Sequence, residues 1–280
     1  MSEQPSDRPP ALIGDPRQGV FETVLVLGGL GVELRAHLDR MDRGVRALYR
    51  QELPRELPAA VHAKAQRAEQ PGRIRLWVRP ARGLPLQHSV DIHPASRHLL
   101  NTHTHPGAEL AVVVTRHGLG PHKLVDRSIL GRWRGAHDAT GTKQLLLADP
   151  NGAVLETERA NVFAVVEGIL ITPCADGRIL AGVARAATLS IAHDLCIPTA
   201  IAPLSLERLG KADEVFLTNS IGGIQPVMSC DDLGRWTAGA VTLRLRHALA
   251  ARWLGQALAH SRKGASQHNG GQRLRPAYRP

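Results

Sequence analysis

Polar and apolar residues alternate strictly between 73 and 79. Ile74, Leu76 and Val78 fall on one side and three arginines on the other, which predicts a half-buried strand. A longer period governs 34–48. There Leu34, Leu38, Met41, Val45 and Leu48 recur at steps of four and three, one face of a helix that Pro54 stops, with Arg40 and Arg43 off the stripe. Before that helix, 20–27 (VFETVLVL) is a predicted strand, followed by the turn Gly28-Gly29 and a second strand over 31–34. An Ala-rich helix over 59–68 ends at Pro71-Gly72, and two further strands are predicted over 89–92 and 110–115.

The Gly-rich connector His117 to Pro121 marks the expected boundary of this small α+β unit. Beyond it the pattern predicts a helix over 123–133, a strand over 144–148 and a turn at Asn151-Gly152. A hairpin follows, with strands 161–166 and 169–172 around Glu167-Gly168. Next come a helix over 184–195, a strand over 199–202, a short helix over 205–209, a buried strand over 214–218 and a long helix over 238–258. The expected organisation is a flexible N-terminus (1–18), a small domain (19–116), a connector (117–122), a large domain (123–260) and a basic disordered tail (261–280). No internal repeat is present.

Composition narrows the function classes. With 280 residues, 43% of them hydrophobic, the chain has enough apolar material for sizeable cores. No run approaches the length of a membrane helix and the first residues lack an apolar signal core, so a cytoplasmic protein away from membranes is expected. Cys174, Cys196 and Cys230 are far apart and odd in number, which suits reduced structural thiols. Half of the formal +10 charge comes from Arg262, Lys263, Arg273, Arg275 and Arg279 in the last twenty residues, which hold no acid. No nucleic-acid recognition motif is present and aromatics are only 3%, too few for a stacking platform; a small anionic partner suits the remaining charge better.

Several residues carry possible chemistry. Lys123 follows a Gly-rich loop and lies among apolar residues, where desolvation makes an amine a Schiff-base nucleophile; the plain alternative is a solvated lysine. Glu156 ends an apolar run and, if buried, needs a cation or donor. A protonated pyridine nitrogen would serve, as would Arg159 or Arg185. The turns Gly182-Val183 and Asn219-Ser220 present backbone amides of the kind that bind phosphate. His88, His93, His98, His103 and His105 look like metal ligands, but no acid or cysteine lies beside them and their spacing does not repeat. They read as a polar loop, with no metal site.

The order of these features resembles the class IV pyridoxal-phosphate enzymes, a family of branched-chain and D-amino-acid aminotransferases and aminodeoxychorismate lyase. Phe21 to Thr23 (FET) looks like the first-strand signature, and HLDRM (37–41) like the H-x-x-R-[LM] helix. The segments TPCADGRILAGVAR and ADEVFLTNS look like the two phosphate-cradling blocks. The resemblance implies Lys123 as the Schiff-base lysine and Glu156 as the partner of the pyridine nitrogen. It further implies that Arg40, Val183, Ala184, Asn219 and Ser220 surround the phosphate of pyridoxal 5′-phosphate. Departures are Ala184 where the family has Thr, Ser128 where branched-chain aminotransferases have Tyr, and a shortened lead-in, IGDPRQG.

The FET signature favours the lyase or the D-amino-acid enzyme, and LGPHKLVDR and ANVFAVVEG…TPCADGRIL look most like aminodeoxychorismate lyases, with an aminotransferase acting on D- or branched-chain amino acids as the alternative. On the lyase reading Lys123 also moves the substrate proton, Thr23 assists the leaving group, and Arg75 or Arg79 binds a substrate carboxylate. The implied fold is α+β in two domains: a small N-terminal α/β sandwich and a larger C-terminal domain with a barrel-like sheet, as in D-amino-acid aminotransferase (fold type IV). The implied assembly is a homodimer. A non-catalytic basic binding module is the reading from another class; it predicts no bound cofactor.

Overall fold

The computed structural model describes residues 13–68, 71–81, 84–95, 107–138, 140–231 and 233–269. The first sheet is built from β1 (Val20–Leu27), β2 (Leu30–Gly31), β3 (Gly72–Ala81) and β4 (Leu84–Pro94), in the order β2-β1-β3-β4. Helices α1 (Leu34–Tyr49) and α2 (Leu57–Gln66) cover one of its faces. The pattern read from sequence explains why. Ile74, Leu76 and Val78 on β3 join Leu38, Met41 and Val45 of α1 in one core, and Arg73, Arg75 and Arg79 stay outside it.

The second sheet contains β5 (Ala108–Val114), β6 (Gln144–Ala148), β7 (Val154–Thr157), β8 (Asn161–Val166), β9 (Ile169–Thr172), β10 (Thr199–Ile201), β11 (Glu214–Asn219), β12 (Gly223–Cys230) and β13 (Gly234–Arg235). Pairings run β8-β11-β12-β5-β6-β7, and the Glu156–Asn161 pair joins β7 back to β8. Those six strands close a barrel, from which β9 and β10 extend. Both faces of β8 and β11 are buried, so these strands read as continuous apolar runs. Helix α3 (Ser128–His137) packs partly buried side chains on one side of the barrel, and α4 (Val183–Asp194) and α6 (Ala240–Asn269) pack on another; α5 (Leu206–Gly210) is a short connector. The fold is therefore the expected α+β arrangement with a barrel-like sheet.

Three expectations are corrected. Residues 108–114 were grouped with the small unit, but β5 pairs with β12 and β6 inside the barrel, because its apolar run needs neighbours on both edges. Residues 123–127 are not helical: Leu124 bridges Val20, and the Val125 amide bonds the Gly19 carbonyl. β2 is too short to cover the whole edge of β1, and the 123–125 segment pairs with the part left over. Helix α6 runs to Asn269, nine residues into the stretch expected to be disordered, since extending a helix already anchored by packing costs little. Among the described residues no helix is long and apolar enough to cross a membrane.

Candidate active site

Five segments converge on one cleft: α1 through Arg40, the loop carrying Lys123 and Arg127, the β7–β8 turn, the entry to α4, and the end of β11. The Lys123 loop is held against the barrel by its glycines. The Gly120 amide bonds the Arg178 carbonyl, and any side chain at Gly118 would run into that same carbonyl oxygen. On its other side the Lys123 carbonyl accepts the Phe21 amide at 2.9 Å, tying the lysine to β1. Its amine lies 5.1 Å from the centre of the Phe21 ring. Burial pulls that amine down to about 7, against the opposing pull of the Glu22 carboxylate. A large fraction is therefore unprotonated, and nucleophilic, at neutral pH.

Glu156 sits at the end of β7 and is 4% exposed. Its carboxylate accepts the Leu180 amide at 3.2 and 3.3 Å and the Asn161 amide at 3.4 Å. No cationic side chain among the described residues reaches ion-pair distance, and burial pushes its pKa up to about 8. The two alternative partners are engaged elsewhere: Arg159 lies 3.7 Å from Glu158, and Arg185 bonds Thr172 and the Pro173 carbonyl. Neighbouring Glu158 is spent on Arg134 and the Leu145 amide. Glu156 is thus a buried carboxyl group bonded only to neutral amides, with no cation paired to it among the described residues.

The opposite side of the cleft suits an anion. Gly182 caps α4 without a side-chain hydrogen bond, so the amides of Val183 and Ala184 begin the helix without intrahelical partners. Asn161 donates to the Leu180 carbonyl at 2.9 Å, and a methyl group at Gly182 would be driven into Asn161 Oδ1. Arg40 is buried although it lies off the apolar stripe of α1. Its Nε and Nη2 grip Glu22 at 2.7 Å each, and Nη1 reaches the Ala181 carbonyl at 3.1 Å. This leaves guanidinium N–H groups facing the cleft. Asn219 uses its side chain to accept the Ile221 and Gly222 amides, which sets the turn that presents Ser220. Thr218 Oγ1 is buried with no partner among the described residues.

Arg40, Lys123, Glu156, Val183, Ala184, Asn219 and Ser220 are therefore brought together. Thr23, Arg75 and Arg79 do not line the cleft. Thr23 pairs in register with Arg75 on the sheet, and Arg79 bonds Gln87. Arg75 stacks on Phe21, with Cζ 3.8 Å from the ring centre. The sequence reading missed Glu22, His37, Asn161 and Arg127. For Glu22 a signal existed: a charged residue stands on the same face of β1 as Val20 and Val24 and so demands partners, which Arg40 and His37 supply. His88 lies 3.9 Å from Glu56, whereas His98, His103 and His105 fall outside the described residues.

Comparison with known proteins follows the same lines. The amino-transferase class IV family model matches residues 19–230. A branched-chain-amino-acid aminotransferase from Salmonella typhi is 34% identical over 118 residues, 41% of this chain and 38% of that enzyme, so the match spans about two fifths of the curated relative. The crystal structure of 4-amino-4-deoxychorismate lyase from Pseudomonas aeruginosa is 28% identical, with a TM-score of 0.70, over 86% of this chain and 95% of that one. A hypothetical aminotransferase from Mycobacterium tuberculosis in its PLP-bound form has a TM-score of 0.75 at 20% identity, over 91% of this chain and 97% of that one, a likeness of fold.

Proposed function

The chain belongs to the class IV aminotransferase family, and from that premise we propose that it is a pyridoxal-phosphate-dependent lyase splitting 4-amino-4-deoxychorismate into pyruvate and 4-aminobenzoate. The observation that carries the reading is one cleft holding both a lysine amine near 7 and a buried carboxylate without a cation. The cofactor is pyridoxal 5′-phosphate, and the residues present fit it. Glu156 lacks a partner that a ring N–H would supply, Thr218 Oγ1 lacks an acceptor or donor, and the α4 amides lack an anion. Arg40, the amides of Val183 and Ala184, and Ser220 would hold its phosphate, Glu156 its ring nitrogen, and Lys123 its carbonyl carbon.

The bound cofactor supplies an electron sink adjoining the substrate's amine-bearing carbon. Lys123 Nζ, unprotonated in large part at neutral pH, takes the proton from that carbon. Expulsion of the enolpyruvyl oxygen makes the ring aromatic, and the same proton count returns to the departing group as pyruvate, so no co-reactant is consumed. Thr23, the expected proton donor to it, lies outside the cleft lining, so that role is left to groups in the cleft. The Phe21 ring shields Lys123 from water on one side. Arg75 is proposed to take a substrate carboxylate; Arg79 is the poorer choice because its guanidinium is already bonded to Gln87 and stacked near Trp77. The same reading makes the protein a cytoplasmic homodimer acting on a small anionic substrate.

Support for the lyase comes from the FET and LGPHKLVDR segments and from the likeness to the lyase structure, 28% identical over 86% of this chain. The second reading, an aminotransferase acting on branched-chain or D-amino acids, draws on that curated relative. Purified protein reconstituted with pyridoxal phosphate is expected to release pyruvate from 4-amino-4-deoxychorismate. Lys123→Ala should lower that rate by roughly 10³-fold or more, because both covalent attachment and proton transfer are lost. Amino-group transfer to a keto acid without pyruvate release would replace the lyase with the aminotransferase.

A further inference from the structure

Arg127 is a half-buried cation for which the reaction above has no task. Its Nη1 donates to the Glu158 carbonyl at 2.6 Å, while Nε is enclosed with no hydrogen-bond partner among the described residues. It lines the same cleft as Lys123 and Glu156, and its Cζ stands 5.3 Å from the centre of the Phe21 ring. Around that one ring gather Arg127, Arg75 at 3.8 Å and Lys123 at 5.1 Å.

The neighbouring carboxylates Glu156 and Glu158 offset part of this charge from a distance, and neither bonds the guanidinium through its side chain. Glu158 is occupied by Arg134 and the Leu145 amide, and Glu156 by the Leu180 amide. Asp91, across the sheet from Arg75, accepts the Ser89 hydroxyl. Burial lowers the pKa of Arg127; the Glu156 charge opposes that, and the charge of Arg75 adds to it. Two guanidiniums that repel each other around one aromatic ring are stabilised when anions arrive beside them, and a guanidinium fork is matched to a carboxylate.

We infer that Arg127 and Arg75 form a two-point anchor flanking Phe21 for a substrate that carries two carboxylates. Arg127, the more enclosed, takes the carboxylate nearer Lys123, and Arg75, exposed on β3, takes the one at the mouth. The flat Phe21 ring between them suits an unsaturated ring or enol body. The anchor rests on the reading that an acidic substrate reaches Lys123, and it assigns the residue that selects a diacid over a monoacid.

The test is calorimetric binding to the reconstituted protein of 3-(carboxymethoxy)benzoate, a stable aromatic diacid, and of 3-methoxybenzoate, its monoacid counterpart. The wild type should bind the diacid at least about tenfold more tightly than the monoacid, as one additional charge-assisted fork allows. Arg127→Met should erase that preference, Arg127→Lys should keep only part of it because an ammonium lacks the fork, and Arg75→Gln should reduce it separately. An undiminished diacid preference in Arg127→Met overturns the proposal, as does the absence of any preference in the wild type. If Arg127→Met fails to fold, the Arg127→Lys and Arg75→Gln titrations decide the matter on the same criterion. Pyruvate is not read in these titrations, so a diacid preference without pyruvate release removes the lyase and keeps the anchor, while pyruvate release without the preference does the reverse.

Discussion

Glu156 and Lys123 are displaced from their ordinary pKa values in opposite senses, and the consequences for stability have opposite signs. The Glu156 carboxyl has a folded value of about 8 against an ordinary 4.5, so the folded protein holds that proton more tightly than the unfolded chain. In the cofactor-free protein its contribution therefore weakens stability progressively as pH rises from 4.5 through 8. Lys123 has a folded value of about 7 against an ordinary 10.5; the penalty of its charge is present below 7 and is relieved as pH rises from 7 towards 10.5. Glu156→Gln removes the first effect and leaves the second. Thermal unfolding of the cofactor-free protein should show the variant more stable than wild type at pH 8.5 by on the order of 1–3 kcal/mol, and nearly equal to it at pH 4.5. A wild type that matches or exceeds the variant at pH 8.5 would mean that Glu156 has a compensating partner.

Among the elements, α4 depends on the closest contact. Gly182 lets Asn161 pass beneath the helix start, and Asn161 in turn holds the Leu180 carbonyl and approaches Glu156. Gly182→Ala pushes that amide away and tilts the first α4 amides out of the cleft. The expected cost is about 1–3 kcal/mol of stability, as for other overpacked sites, and an affinity for pyridoxal phosphate lowered by roughly tenfold or more, read by absorbance titration. Unchanged affinity would separate the α4 amides from phosphate binding.

Elements of this kind were legible where local pattern and tertiary demand agree. The hairpin of β8 and β9 and the strand β6 follow their apolar runs residue for residue. β12 was not legible, because Gly223 and Pro226 interrupt any period of two in a strand that is nevertheless paired on both sides. The segment after Lys123 looked helical, but its apolar residues complete the edge of β1 instead. That mistaken helix also hid Arg127, which stands just before the start of α3 and not within a helix. Lys123, Glu156 and Arg40 were found through motif order, whereas Glu22, which orients Arg40, could be read only from polarity on a core-facing position.

At the scale of the whole molecule, β1 joins the two sheets because its faces serve different cores. Val20, Val24 and Val26 pack with α1 and α2, while Leu25 and Leu27 pack with Phe163, Phe216 and Trp253 beside the barrel. The same strand carries Phe21 beside Lys123 and Glu22 against Arg40, so the cofactor side of the site is only as fixed as the contact between the sheets. Leu25 is 1% exposed, and Leu25→Ala should cost about 2–5 kcal/mol, the range for truncating a buried leucine. If β1 couples the sheets, calorimetry will still show one transition, moved to lower temperature, and affinity for pyridoxal phosphate will fall with it. Two separated transitions, with cofactor affinity following only one, would instead mean that the sheets fold independently and that β1 belongs energetically to the first sheet alone.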